Sequence, residues 1–184
     1  MSRIGKQPII VPANVKVKID NNLVNVKGPN GELSRVFNPD LNISLEKSVI
    51  TVSRPNDNRK MRQLHGLTRT LIANMVKGVS EGFERTINIV GVGYKGQMVG
   101  EKISLQLGFT KHVEIDPPKG ITFQLDNPTR IKILGFNKED VGQVAATLRR
   151  IKPPDPYKKK GVTYFGERVR QKAGKAGKTG AKKK

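Results

Sequence analysis

The 184-residue sequence contains no cysteine and no tryptophan, only two histidines, and few acidic residues. Because cysteine is missing, disulfides, thiolate nucleophiles and cysteine-based zinc or iron–sulfur sites are excluded. His65 and His112 have no neighbouring histidine or carboxylate at the spacing of metal ligands, and we interpret both as structural or solvated. We therefore expect neither a metal nor another cofactor.

Long apolar runs are also missing. No stretch approaches the roughly 20 apolar residues that a membrane helix requires, and residues 1–6 lack the apolar run of a signal peptide. The sequence therefore predicts a soluble, intracellular protein without a membrane partner.

Positive charge dominates, with 35 lysines and arginines against 15 acidic residues and a formal net charge of +20. From Leu148 onward, 14 basic residues stand against Asp155 and Glu167, so this segment holds +12 of the +20. Residues 172–180 repeat lysine every third position among small residues, which predicts a disordered tail. Extended, such a tail spaces its lysines about 9 Å apart, close enough for each to reach a separate phosphate. A solubilising tail is the alternative, but the charge density favours nucleic acid.

Alternating apolar and polar residues indicate five short antiparallel strands in the first part of the chain, at 15–19, 23–26, 32–36, 43–45 and 49–52. The turn Gly28-Pro29-Asn30-Gly31 predicts a hairpin between the second and third of them. From Arg59 the apolar spacing becomes helical and predicts an amphipathic helix of about 18 residues. Asn56, Asp57 or Asn58 can cap its start, and Gly78 or Gly82 can end it.

The same order then repeats. Further strands are predicted at 86–89, 103–107, 113–115, 121–125 and 131–133, followed by a helix over about 138–151 with Asn137 as its cap. An offset of 80 residues, and of 81 after one insertion, aligns the two apolar patterns. The prediction is an α+β fold of two tandem, duplicated domains, each a small antiparallel sheet packed by one helix, plus a basic extended C-terminal tail. The predicted domains are residues 1–82 and 83–152, followed by a proline-stiffened strap and disordered tail at 153–184.

Residues 91–96, Gly-Val-Gly-Tyr-Lys-Gly, have the spacing of a dinucleotide-binding motif. The following residues predict strands, however, whereas that motif needs a helix N-terminus to bind the phosphates. We interpret the segment as a bend in which small residues allow close backbone approach, with Tyr94 and Lys95 available to contact RNA. No nucleophile and base are arranged for catalysis, so we expect neither an enzyme nor a small-molecule substrate.

The strongest local signal for RNA binding lies in residues 149–161. Three prolines end the second helix and hold the chain extended beside an aromatic residue and many cations. The candidate contacts here are Arg149, Arg150, Lys152, Tyr157, Lys158, Lys159 and Lys160. A linker with solvated lysines is the alternative interpretation.

Taken together, the motifs resemble the large-subunit ribosomal protein six family of bacterial or plastid type, over essentially the whole chain. The segments that carry the resemblance are residues 2–6, 8–9, 26–29, 31–33, 65–69, 74–75, 78–79, 91–95, 107–109, 141–143, 145–146 and 153–158. The resemblance implies two tandem α+β domains that bind large-subunit rRNA near the base of the acidic-protein stalk and the sarcin–ricin loop. Neighbouring large-subunit proteins and translation factors are then expected nearby.

In that family, the second domain and tail make most of the RNA contact. The resemblance therefore implicates Gly91, Gly93, Tyr94, Lys95, Tyr157, Lys158, Lys160 and Gly161. The charge distribution of the tail adds Arg168, Arg170, Lys172, Lys175 and Lys178. The expected function is a non-catalytic structural constituent of the large ribosomal subunit, ribosome-bound in the bacterial cytoplasm or the plastid stroma. An architectural DNA-binding protein and a nucleotide-dependent enzyme at residues 91–96 are the alternatives.

Overall fold

The computed structural model describes residues 3–172 and Gly174. The chain divides into two compact units. The first contains the residues up to Glu84 together with Lys119–Ile121 and Leu134–Val141, and the second contains Arg85–Pro118, Thr122–Ile133 and the residues from Gly142 onward. Two short segments from the second half of the sequence thus belong to the first unit. The domain boundaries expected at residues 82 and 152 stay a prediction.

Six strands precede the first helix: β1 (Ile9–Ile10), β2 (Lys16–Asp20), β3 (Leu23–Gly28), β4 (Gly31–Val36), β5 (Asn42–Glu46) and β6 (Val49–Ser53). They form two antiparallel sheets, in the orders β2-β3-β4 and β1-β6-β5. The predicted hairpin is confirmed, because Gly28 lies opposite Gly31 at the end of the β3–β4 ladder. Gly31 has a φ of 151°, which favours glycine. β1 was not predicted, since two residues are too few to show an alternation.

Helix α1 (Arg59–Ser80) has 22 residues and is longer than predicted. Its buried side chains include Ile72, Met75 and Val79, as the apolar spacing indicates. The helix does not end at Gly78, which is buried, and a side chain there would collide with the backbone oxygen of Phe136. Gly78 therefore serves close packing inside the helix, and Gly82, with a φ of 83°, follows the helix end.

The second half of the chain contains β7 (Phe83–Val90), β8 (Lys95–Val99), β9 (Lys102–Gln106), β10 (Val113–Ile115), β11 (Ile121–Asn127), β12 (Arg130–Gly135), α2 (Lys138–Ile151) and β13 (Gly161–Tyr164). Its sheets have the orders β8-β9-β10 and β11-β12-β7-β13. The sheet β8-β9-β10 matches the sheet β2-β3-β4 of the first half, and the strands β11-β12-β7 match β5-β6-β1. The predicted duplication and the α+β class are confirmed.

Two strands of the second half were not predicted. β8 lies directly after the glycine-rich residues 91–94, where glycine weakens strand propensity. β13 lies inside the predicted strap and pairs antiparallel with β7, with Val162 opposite Ile89. Val162 is fully buried, so residues 161–164 are part of the folded second unit. No helix in the described ranges is long and apolar enough to cross a membrane.

Candidate nucleic-acid interface

Residues 155–160, which we call the lysine turn, are organised by Asp155. Its carboxylate accepts hydrogen bonds from the backbone amides of Tyr157 (3.1 Å) and Lys158 (3.2 Å). Its own amide donates to the Lys160 oxygen (2.8 Å), and the Lys159 amide donates back to the Asp155 oxygen (2.9 Å). The turn exposes Tyr157, Lys158 and Lys159. An acidic residue thus holds cations and an aromatic ring at the surface.

Gly161 attaches the lysine turn to the end of α2. A Cβ at this position would lie 2.6 Å from the Pro153 oxygen and 2.8 Å from the Lys152 oxygen, both backbone atoms that cannot move away easily. Its φ of 142° also favours glycine. The next residue, Val162, donates its amide to the Lys152 oxygen (2.8 Å). Gly161 is therefore required by close backbone packing.

Arg149 and Glu167 form the pair that fixes the chain beyond β13. The Arg149 guanidinium donates to Glu167 through Nη2 (2.7 Å) and Nε (3.1 Å). The backbone amide of Tyr164 also donates to Glu167, at 3.0 Å. Hydrogen bonding to Arg149 lowers the pKa of Glu167 although partial burial opposes this, and the Glu167 hydrogen bond raises the pKa of Arg149. The pair is charged and holds residues 164–167 against α2.

After Glu167 the chain returns to the lysine turn. The Lys172 amide donates to the Pro156 oxygen (2.9 Å), and the Gln171 side chain donates to the Tyr157 oxygen (2.7 Å). A surface groove results, which we call the basic groove, lined by Lys159, Arg168, Val169, Arg170 and Gln171. Residues that are far apart in the sequence therefore present their cations to one groove.

Both acidic residues of the segment from Leu148 onward accept hydrogen bonds from groups of the fold. Asp155 bonds backbone amides of the lysine turn, and Glu167 bonds Arg149 and a backbone amide. Neither carboxylate lines the basic groove. The cations of the groove therefore present a positive surface that suits phosphate groups.

The glycine loop, residues 91–96, supports its own tyrosine. A Cβ at Gly91 would lie 2.5 Å from the Tyr94 ring, and one at Gly108 would lie 3.0 Å from the same ring. Tyr94 is half-buried between these glycines, so part of its ring is used by the fold. Gly93 has a φ of 74°. The loop leads into strand β8, which was not predicted, and the expected absence of a helix directly after the glycines agrees with the structure.

Phe109 connects the glycine loop with the end of α2. It follows Gly108, which contacts Tyr94, and the Lys152 ammonium lies 4.6 Å from the centre of its ring. Phe109 is 43% exposed. The glycine loop, Phe109 and Lys152 thus form a second group of aromatic and cationic side chains in the second unit.

A third group surrounds the end of β13. The guanidinium groups of Arg85 and Arg149 lie 4.8 Å and 5.6 Å from the centre of the Tyr164 ring. Arg130 lies over the neighbouring Phe165 ring at 5.1 Å. Three arginines are therefore arranged on two consecutive aromatic residues.

In the ranges that the structure describes, no group of three or more histidine, aspartate or glutamate side chains is placed to hold a metal ion. The ring of His65 is buried and both of its nitrogens are occupied. Nε2 lies 2.8 Å from the Val52 oxygen and Nδ1 lies 2.8 Å from Arg54. The structural interpretation of His65 is confirmed.

The sequence model of the ribosomal protein L6 family matches residues 11–82 and 90–165, which is most of the chain. The chain belongs to the ribosomal protein L6 family. It is 52% identical over 182 residues to large ribosomal subunit protein uL6 of Trichormus variabilis, covering 99% of the chain and 100% of the relative. It is 50% identical over 184 residues to the protein of the same name from Thermomicrobium roseum, covering 100% of both. The uL6 protein of Streptococcus uberis is 52% identical over 178 residues, covering 97% of the chain and 100% of the relative.

In this L6 family member, the predicted RNA-contact residues fall into two places. Tyr157, Lys158, Lys159, Lys160, Gly161, Arg168, Arg170 and Lys172 lie at the lysine turn and basic groove, and Gly91, Gly93, Tyr94, Lys95 and Lys152 lie at or near the glycine loop. Arg150 is exposed on the last turn of α2, whereas Arg149 is engaged by Glu167. Lys175 and Lys178 lie outside the described residues. Their roles in RNA contact stay predictions.

In this L6 chain, Phe109, Arg85, Arg130 and Phe165 were not predicted as RNA contacts. Aromatic residues make up only 5% of the chain, and two of them, Tyr164 and Phe165, are adjacent within the strongly basic segment. That clustering was the available signal. Arg85 and Arg130 come from β7 and β12, so their positions over these rings depend on strand pairing, which is not local in sequence.

Proposed function

We propose that this chain is a structural constituent of the large ribosomal subunit and binds large-subunit rRNA, chiefly through the C-terminal part of its second unit. Membership of the L6 family and the names of the uL6 relatives support a place in the large subunit. The basic groove supports the RNA-binding part of the proposal. We further propose that the bound rRNA lies near the base of the acidic-protein stalk and the sarcin–ricin loop.

The observation that carries the proposal is that Asp155 and Glu167 are hydrogen-bonded within the fold and do not line the basic groove. Because both carboxylates are hydrogen-bonded within the fold, they leave Lys159, Arg168 and Arg170 free to face an external polyanion. Contacts of this kind recognise phosphates and the shape of folded RNA more than base sequence. The protein then neutralises and clamps rRNA in a region that supports translation factors and neighbouring large-subunit proteins. The site of action is the ribosome, in the bacterial cytoplasm or the plastid stroma.

The electrostatic part is tested by the salt dependence of binding to a large-subunit rRNA fragment. If the tail contacts about 6–8 phosphates, affinity falls steeply with salt, and a chain that ends at Glu167 gives a clearly flatter slope. An unchanged slope contradicts the role of the tail.

A matched pair of triple variants separates the basic groove from general positive charge. The first replaces Lys159, Arg168 and Arg170 with glutamine, and the second replaces Lys16, Lys18 and Lys27, which line a surface of the first unit. Both remove three charges. We expect the first variant to reduce the slope of log affinity against log salt concentration by about 3, and the second variant to leave this slope nearly unchanged. Equal effects would mean that binding follows net charge alone.

Specificity and location need two further measurements. Binding of the full chain to rRNA fragments and to duplex DNA is compared at equal ionic strength, and equal affinities would favour the architectural DNA-binding alternative. Hydroxyl-radical footprinting on complete large-subunit rRNA then locates the contact. Protection at the stalk base and sarcin–ricin region supports the proposed location, and protection elsewhere rejects it.

A further inference from the structure

Phe165 is an exposed aromatic residue on a fixed backbone. It is 62% exposed, although phenylalanine is among the residues that are most often buried. Its amide donates to the Thr86 oxygen at 3.0 Å, which extends the pairing of β13 with β7 by one residue. Two residues later, Glu167 is held by Arg149. The ring therefore projects from a segment that is anchored on both sides.

Arg130, the first residue of β12, lies over the Phe165 ring at 5.1 Å. Within the described residues, Arg130 forms no salt bridge. A guanidinium over an aromatic face is attracted by the electron density of the ring. One face of Phe165 is thus supported, and the large exposed fraction leaves surface on which a second planar group can stack.

The surroundings of Phe165 favour a nucleobase as that planar group. Arg130 lies over the ring, and Arg168 and Arg170 follow three and five residues further along the chain. Aromatic rings combined with arginines are the usual platform for unstacked bases, because the ring binds the base and the cations bind its phosphates. An apolar peptide segment would gain nothing from so many cations.

We propose that Phe165, supported by Arg130, is a stacking platform for one unpaired base of the bound RNA. The proposal rests on the proposed rRNA binding and adds to it a contact with a single-stranded or bulged nucleotide. The base stacks on the exposed side of the Phe165 ring, while nearby arginines contact the adjoining phosphates. This contact is not ionic, in contrast to those of the basic groove.

The absence of tryptophan from the chain allows a direct test. The variant Phe165→Trp carries a single tryptophan at the platform, and a stacked base quenches its fluorescence. Val36→Trp is the control, because Val36 is 73% exposed and lies on the first unit. We expect quenching of the Phe165→Trp emission when the large-subunit rRNA fragment binds, and no change for Val36→Trp. Unchanged emission at position 165 in a formed complex would overturn the proposal.

Affinity provides the second readout. Phe165→Ala should weaken rRNA binding by about 10-fold, because loss of one aromatic stack typically has an effect of this size. The slope of affinity against salt should stay the same, since no ionic contact is removed. Phe165→Tyr should retain the affinity of the natural chain, and Val36→Ala should have no effect. Thermal unfolding verifies that the variants fold.

The outcomes distinguish this inference from the function on which it rests. A natural chain that fails to prefer rRNA contradicts the proposed function itself. A natural chain that binds rRNA, with Phe165→Ala binding equally well, overturns only the stacking platform. Quenching of Phe165→Trp by another ribosomal protein and not by rRNA also overturns it.

Discussion

Arg149 donates two hydrogen bonds to the two carboxylate oxygens of Glu167, at 2.7 Å and 3.1 Å. The pair joins the last turn of α2 to the residues after β13, which lie 18 positions further along the chain. The side chains are 34% and 24% exposed, so water screens the interaction only partly. The pair therefore contributes to the position of the basic groove as well as to stability.

Loss of the Glu167 carboxylate should destabilise the second unit. Glu167→Ala leaves the Arg149 guanidinium and the Tyr164 amide without their acceptor, and we expect a loss of about 1–3 kcal/mol in the free energy of unfolding. Urea unfolding followed by circular dichroism measures it. Asp116→Ala is the control, because the pair of Asp116 with Lys102 is well exposed and should contribute much less to stability. A similar loss in both variants would contradict a special role for Glu167.

The stability of this region should also depend on pH. Hydrogen bonding to Arg149 lowers the pKa of Glu167 in the folded state, despite the opposing effect of burial. The stabilisation is therefore fully present above the ordinary glutamate value of about 4.3, and it is lost as the pH falls through the lower folded value. Amide hydrogen exchange at Val162 and Tyr164 should reveal faster local opening in that range. Glu167→Gln should remove most of this acid dependence, and an identical profile for both proteins would reject the assignment.

The two helices should respond differently when the asparagine directly before each helix is replaced by alanine. The Asn137 side-chain oxygen accepts the Glu139 amide at 3.1 Å, and its nitrogen donates to Asp140 at 2.8 Å. Asn58, at the start of α1, makes no capping hydrogen bond with its side chain. We expect Asn137→Ala to reduce the free energy of unfolding by about 1 kcal/mol and Asn58→Ala by less than about 0.5 kcal/mol. The midpoints of denaturant unfolding, with unchanged slopes, measure the two losses in stability. A larger loss for Asn58→Ala than for Asn137→Ala would contradict the prediction.

Two glycines of the second unit should give opposite effects when replaced by alanine. Gly161 has a left-handed φ and two backbone oxygens within 2.8 Å of a Cβ, so Gly161→Ala should cost about 3 kcal/mol. Gly142 lies in α2 with no atom within 4 Å of a Cβ. Gly142→Ala should stabilise by about 0.5–1 kcal/mol, because alanine favours the helix. Thermal unfolding distinguishes the two, and a stable Gly161→Ala protein would refute the close packing.

Lys159 combines a strained backbone with a charge that faces the basic groove. Its φ is 58°, a conformation that costs a residue with a side chain about 1 kcal/mol. Lys159→Gly should therefore raise the free energy of unfolding by up to about 1 kcal/mol and reduce the salt slope of rRNA binding by about 1. Lys158→Gly removes the same charge without relieving a positive φ. Equal stabilities of the two variants would show that the strain is not significant.

Local patterns predicted much of the fold. The Gly28–Gly31 turn and the capped helix α2 were predictable, because their signals lie within a few residues of each other. The positions of β1 and β13 were not, since a two-residue strand has no period and β13 depends on pairing with β7. The interior role of Gly78 depends on the distant backbone of Phe136 and could not be read from the helix itself.

The charge of the candidate site was predictable, but its distribution among individual residues was not. The residue count showed where cations are dense, but it gave no reason to assign different roles to Arg149 and Arg150. Folding engages Arg149 with Glu167 and leaves Arg150 exposed. Likewise, the hydrogen bonds of Asp155 to backbone amides are a property of turn geometry that net charge does not show.

The outer edge of β13 has a consequence for the protein on its own. β13 is the last strand of its sheet, and such edges can recruit strands from other chains and start aggregation. Here the Val162 amide is bonded to the Lys152 oxygen and the Tyr164 amide to Glu167. An incoming strand would find these donors already occupied. The contacts that position the basic segment thus also disfavour strand pairing between copies of the protein at this edge.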